Sequence, residues 1–293
     1  MTGRRKSFYS LTFLIPAMAV YLVFFIGPNL LSLGLGFTDW SVYSMTDFGF
    51  NGLDNFRQMF AESIFKKSIA NTFYFAIVTV ILSNLIGFLL AVIMNAKLKL
   101  EAFYRSAFFI PTTLSFLVVG PVFNALYHPE SGPINVFLRG IGLGSLAKGW
   151  LVDPDYAMNS VIVMSIWAGI GVTILLYISG LQSVPPEYYE AAEIDGCTAR
   201  QKLVHVSIPL IIPSITVNLV LSLIGGLKVF GQVFVLTNGG PNDATQVFGT
   251  LIFKTFGEGL LGYSSAVGLV FTVIVCLMSF VLVYALRKLE AEY

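Results

Sequence analysis

Long apolar runs separated by short polar segments make up almost the whole chain. The runs fall at about residues 11–37, 69–95, 106–127, 157–181, 206–236 and 264–286. Each has the roughly 20 residues needed to cross the hydrocarbon core of a bilayer. No water is present there to satisfy a peptide group, so such a segment must close its hydrogen bonds within itself, which predicts helices. The period-two alternation of a membrane barrel is missing. The pattern predicts an all-α polytopic membrane protein, six transmembrane helices in a single domain over residues 1–293.

Basic residues orient these spans. With the N-terminus inside, Arg4, Arg5, Lys6, Lys97, Lys99, Arg105, Arg200, Lys202, Arg287 and Lys288 all fall on the cytoplasmic side, close to helix ends. Arg57, Lys66, Lys67, Arg139, Lys148 and Lys254 fall outside. Short cytoplasmic segments attract positive charge, so both termini are expected to be cytoplasmic. A basic triplet before an apolar run also suits a signal peptide. The run from Leu11 is long and lacks a clean small-residue cleavage site, so an uncleaved first span is expected.

The composition agrees: 56% of residues are apolar and 11% charged, too few charges for a soluble surface. The formal charge of +1 gives no reason to expect nucleic acid as a partner. Cys197 and Cys276 lie in different parts of the topology, as do His128 and His205, so neither a disulfide nor a metal pair is expected. No phosphate loop of the form GxxxxGK[ST] occurs, so this chain is expected to hold no cofactor and to leave any ATP and magnesium to a partner.

The polar interruption at residues 182–205, between the fourth and fifth spans, has its own architecture. Pro185 and Pro186 suit the first turn of a helix, and Glu187 and Glu190 suit the positive end of its dipole. Gly196 sits where a left-handed residue ends the helix. Tyr188, Ala191, Ala192 and Asp195 follow the i, i+3, i+4, i+7 spacing of one helical face. Thr198 and Gln201 have the spacing of a capping box that opens a second helix.

The same segment carries a motif: Glu190-Ala191-Ala192, three residues, Gly196, nine residues, then Val206-Ser207-Ile208-Pro209. It resembles the EAA loop of the membrane subunits of ATP-binding-cassette importers, with Val206 and Ile208 where Ile and Leu are usual. The likeness extends to FLIPAMAVYLVFFIGPNLLSLGLGFTDW near the start, YRSAFFIP, GPINVFL and KVFGQVFVLTNGGPNDAT. It is closest to carbohydrate-type permeases, namely the larger maltose permease subunit and the glycerol-3-phosphate permeases. The resemblance implies a type I importer fold in a bacterial or archaeal inner or plasma membrane. It implies a second, different permease, two ATPase subunits and an extracytoplasmic sugar-binding protein as partners. It also assigns Tyr188, Glu190, Ala191, Ala192, Asp195 and Gly196 to the docking of an ATPase.

Carried over position by position, the sugar site of that subunit falls on Thr112, Phe116, Ser165, Gly169, Val172, Ser222, Gly225, Gly226 and Val229. Gly169 and Ser222 retain the family residue, and neighbouring Trp167 matches too. Gly225 and Gly226 either widen a cavity or pack helices closely. Lys228, a cation within the fifth span, either donates to substrate or snorkels toward a partner or the outer surface, and Gln232 lies one turn on. The turn-rich stretch Asn238–Thr245 either contacts the binding protein or simply ends a helix. The implied function is the permease of an ATP-driven oligosaccharide importer. An importer of the same kind for a non-sugar solute such as glycerol-3-phosphate is the nearest alternative. An ion-gradient transporter calls for buried carboxylates, and the spans carry no Asp or Glu in their central portions. An intramembrane enzyme calls for a paired nucleophile and base, and none is spaced to meet.

Overall fold

A computed structural model describes residues 11–96 and 101–290. In chain order the main helices are α1 (Ile15–Leu35), α2 (Asp54–Ala61), α3 (Ser63–Asn95), α4 (Phe103–Thr113), α5 (Phe116–Leu126) and α6 (Pro133–Gly140). They continue with α7 (Pro154–Ser183), α8 (Pro186–Ile194), α9 (Ala199–Leu210), α10 (Ile212–Leu227), α11 (Gly231–Leu236), α12 (Phe248–Gly257) and α13 (Leu261–Glu290). The described residues form no strand, only an isolated bridge between Thr38 and Phe50. Among them, α1, α3, α7 and α13 are long and apolar enough to cross a membrane unaided, and the pairs α4–α5 and α9–α10 bring the total to 6 if each is one span.

The paired segments differ from the expected straight spans at 106–127 and 206–236. Helix α4 meets α5 at 102°. Pro111 lies in a tight 3-10 turn, Leu114 is extended, and Ser115 restarts the helix by accepting the Leu117 N–H at 3.3 Å. Helix α9 meets α10 at 69° around Ile211, whose φ of −100 and ψ of 11 depart from helix between Pro209 and Pro213. Proline has no N–H for the preceding turn and its ring crowds that turn's carbonyl, so two of them bracket a natural break. The asparagine, serine and threonine side chains along these runs therefore do not share the straight faces that a uniform helix would give them.

The chain forms two compact units. In one, residues 11–61 with Ile252–Phe271, the Asn55 amide donates to the Gly36 and Thr38 carbonyls at 2.9 and 2.8 Å. The Gly262 N–H donates to the Trp40 carbonyl at 2.8 Å, closing the loop after α1 onto the start of α13. In the other, Glu62–Leu251 with the chain from Thr272 on, α7 is the central rod, with α3 and α10 packed on it and on each other. Val161, Met164, Ile174 and Ile178 of α7 head its core. The most apolar window of α7 is 67% buried and that of α1 is 0% buried, so α1 leaves its apolar side chains to whatever surrounds the protein.

Candidate functional site

The segment at 182–205 folds as its local chemistry dictates. Pro186 occupies the first turn of α8, where a missing N–H is no loss. Gly196 has φ +75, and beside it the Cys197 N–H bonds the Ala192 carbonyl while the Gly196 N–H bonds that of Glu193. This is the Schellman closure, which satisfies carbonyls that the helix end would orphan. Thr198 and Gln201 form the reciprocal capping box at the start of α9. The Lys202 ammonium meets the Glu193 carboxylate at 2.6 Å, and the Tyr189 and Ser207 hydroxyls lie 3.0 Å apart, so α8 is pinned to α9 from two directions. The hydrogen bond from Lys202, reinforced by its charge, holds the Glu193 carboxyl below the usual carboxylate range.

The exposed face of α8 is not quite the expected one. Tyr188, Glu190, Ala191, Asp195 and Gly196 are exposed, with Tyr188 at 51%. Ala192 is 7% exposed, turned inward beside Tyr189, so its small side chain serves the chain's own packing. The residue that motif reading passes over is Ile194, 87% exposed. It sits at the end of α8 beside Asp195, a large aliphatic group in water with no packing of its own.

A second constellation lies between α3, α7 and α10. Ser165, Gly169, Val172, Ser222, Gly225, Gly226 and Gln232 line one cleft of about 220 Å³, together with Phe75, Thr79, Ser83, Thr173, Leu176, Asn218 and Leu221. Ser165, Gly169 and Val172 are spaced by four and three residues, which sets them on one face of α7. The two glycines divide the alternatives between them. A Cβ on Gly225 would meet nothing within 4 Å, whereas one on Gly226 would stand 2.9 Å from the Ala76 Cα. Gly225 is open space in the cleft wall, and Gly226 is where α10 rests on α3.

Five expected pathway residues lie outside this cleft. Trp167 is two residues from both Ser165 and Gly169, about 200° around the helix, and its ring stands 5.3 Å from that of Phe123. The Thr112 hydroxyl donates to the Phe109 carbonyl at 2.7 Å, and its methyl fits against Gly171. Phe116 begins α5 and packs toward Gly231. Val229 is buried in the core. Lys228 is exposed and is not at a helix centre: α10 ends at Leu227 and Lys228 caps it, so the cation complements the negative end of the dipole. The break over Lys228–Phe230 also removes the one-turn relation to Gln232, which reaches the cleft from α11.

Reading the sequence missed Thr79, Ser83, Thr173 and Asn218 in the cleft wall and Asn84 beside it. The signal that finds them is their polarity inside apolar runs, where an amide or hydroxyl must meet a partner or a cavity. Among the described residues no group of three or more His, Cys, Asp or Glu is placed to hold a metal ion.

Comparison with known proteins shows the family. The family described as binding-protein-dependent transport system inner membrane component matches residues 83–291. The probable ABC transporter permease protein YurN of Bacillus subtilis is 34% identical over 270 residues, covering 91% of this chain and 92% of that one. The multiple sugar-binding transport system permease protein MsmF of Streptococcus mutans is 31% identical over 293 residues, covering 99% and 100%. Among solved structures, a bacterial ABC transporter involved in the import of the acidic polysaccharide alginate superposes with a TM-score of 0.83 at 23% identity, covering 94% of each chain. That likeness concerns the fold.

Proposed function

Because this chain belongs to the family of binding-protein-dependent transport system inner membrane components, a transport component and not an enzyme, we propose that it imports an uncharged oligosaccharide. The observation that carries the proposal is the cleft between α3, α7 and α10. Thr79, Ser83, Ser165, Thr173, Asn218, Ser222 and Gln232, all with hydroxyl or amide side chains, line it beside apolar residues, and no charged residue does. Sugars present hydroxyls at their edges and C–H at their faces, and such a wall matches both. A uronate or phosphate would enter the cleft without a cation to meet it, and burying an unpaired anion is costly. Lys228, the obvious candidate, caps α10 outside the lining. This argues against the glycerol-3-phosphate reading and sets the chain apart from the alginate importer that it resembles in fold.

The chain supplies half of the pathway beside a second, different permease. Two ATPase subunits using ATP and magnesium drive it from the cytoplasmic side, and an extracytoplasmic sugar-binding protein delivers the cargo. Both termini and the α8–α9 segment face the cytoplasm. A cysteine replacing Thr198 therefore reacts with an impermeant thiol reagent only after the cells are permeabilised, and labelling in intact cells overturns this orientation. In the mechanism that follows, Tyr188, Ala191, Ile194 and Asp195 of α8 form the face received by an ATPase. The Glu193–Lys202 pair and the Tyr189–Ser207 contact pass its displacement to α9 and so to the cleft wall on α10. Rigid elements with well-made ends transmit such a movement without losing it to local bending.

The cargo class is tested in proteoliposomes holding the complete complex and its binding protein. Labelled maltotriose, raffinose, arabinotriose and diacetylchitobiose are compared with a uronate trisaccharide and glycerol-3-phosphate. Uptake confined to neutral members is expected. Preference for an anionic member sinks the proposal.

A further inference from the structure

Two polar atoms of the cleft residues lack a partner among the described residues: Oγ1 of Thr79 on α3 and Nδ2 of Asn218 on α10. Asn218 is 3% exposed. Buried donors and acceptors are nearly always satisfied by protein or by ordered water, so two orphans closed off behind the lining of one cleft, on residues that form its wall, call for a partner that the cleft admits when it opens.

The neighbouring polar groups are already committed. The Tyr177 hydroxyl on α7 donates to Oδ1 of Asn84 at 2.8 Å. The two amide hydrogens of Asn84 go to the Val80 carbonyl and to Oγ of Ser222, each at 2.8 Å. Ser222 in turn donates its one hydrogen to the main-chain carbonyl of Asn218. This ladder joins three helices and leaves Ser222, the position that matches the sugar site of related permeases, with no hydrogen to give a cargo.

We infer that Thr79 and Asn218 are the cargo-contacting residues of this cleft, and that Asn84, Tyr177 and Ser222 are the frame that holds α3, α7 and α10 around them. The chemistry is complementary to a sugar hydroxyl. Asn218 offers an N–H to the hydroxyl oxygen, and Thr79 accepts the hydroxyl hydrogen or donates in its place. A carboxylate or phosphate, which only accepts, leaves the acceptor side of Thr79 unused. The inference rests on the oligosaccharide reading for its ligand class, but the placement of the two residues on the pathway is tested without knowing the sugar.

The experiment uses the importer complex in proteoliposomes, with Cys197 and Cys276 replaced by serine. Single cysteines at positions 79, 218 and 222 are then exposed to a charged methanethiosulfonate during ATP turnover. Thiols at 79 and 218 are expected to react, and to react several-fold faster than the thiol at 222. Separately, Thr79→Val and Asn218→Leu remove the unpartnered atom, in the second case together with the amide oxygen, while keeping the number of side-chain heavy atoms. They are expected to keep or raise the melting temperature of the complex while cutting neutral-sugar uptake by roughly tenfold, the scale of one lost hydrogen bond in a buried site. Asn84→Leu is expected to lower the melting temperature instead. Thiols at 79 and 218 that stay unreactive throughout turnover, or transport by Thr79→Val and Asn218→Leu at the wild-type rate, overturn the inference. If both thiols react but no neutral sugar is carried, the sugar reading fails and the pathway assignment stands.

Discussion

The segment from Pro185 to Ser207 and the cleft wall from Asn218 to Gln232 both interrupt apolar helix, and they are built by opposite rules. In the first, each helix end is made by residues within six positions of one another: a proline start, a Schellman end on Gly196, a capping box on Thr198 and Gln201, with only the two ties between α8 and α9 reaching further along the same segment. In the second, the main features depend on distant neighbours: Gly226 on Ala76 and Ser222 on Asn84. A local device keeps its shape as it moves, whereas a device of distant contacts changes when its helices shift. The first suits transmission and the second suits a site that must open and close.

The glycine pair gives the sharpest way to break this contrast. Gly226→Leu forces a side chain against the Ala76 backbone, and overpacking of this kind costs on the order of 1–3 kcal/mol or more. Recovery of intact complex in detergent should fall steeply. Gly225→Leu points into open space and should leave recovery unchanged while reducing uptake of long saccharides more than short ones. Equal recovery of the two variants would remove the distinction between packing and lining.

At the other region the effect is smaller and of a different kind. Gly196→Asp imposes a side chain on a left-handed backbone, a cost of about 1–2 kcal/mol, at a place where nothing else obstructs it. Uptake should drop while abundance in the membrane holds, and Gly196→Asn, which tolerates that conformation, should retain more transport. Loss of abundance in step with uptake would mean that the turn serves folding and not transmission.

This difference in construction also explains what the sequence made legible. The apolar runs and the caps of α8 and α9 follow from spacing along the chain, whereas the grouping of Ser165, Gly169 and Val172 with Ser222 and Gly225 comes from the family resemblance alone. The misplacement of Trp167 and Lys228 has one cause in each case. Trp167 was carried over by adjacency in the chain, which ignores that two residues along a helix lie on nearly opposite faces. Lys228 was placed within a helix that in fact stops at Leu227. The cleft residues on α3 were hidden because nothing in the sequence says which face of α3 meets α10. Ile194 was hidden because an isoleucine beside a motif reads as core until its exposure is seen.

The smallest expected effect concerns the tie between α8 and α9. Since Lys202 depresses the Glu193 pKa in the folded protein, the stabilisation is present above the ordinary glutamate pKa. It is lost as pH falls from there through the depressed value. The melting temperature of Glu193→Gln should therefore sit slightly below wild type at neutral pH, and the two should converge in acid. A difference that persists at low pH assigns the effect to something other than this ion pair.

The early end of α10 has a consequence for the membrane itself. Its 16 residues make a rod of about 24 Å, shorter than the roughly 30 Å of hydrocarbon in an ordinary bilayer. The wall therefore reaches across the hydrocarbon only if α9 is counted with α10, which puts the 69° bend at Ile211 inside the span. A thicker bilayer would have to be met by a change of tilt or of that bend, because α10 itself has no length to spare.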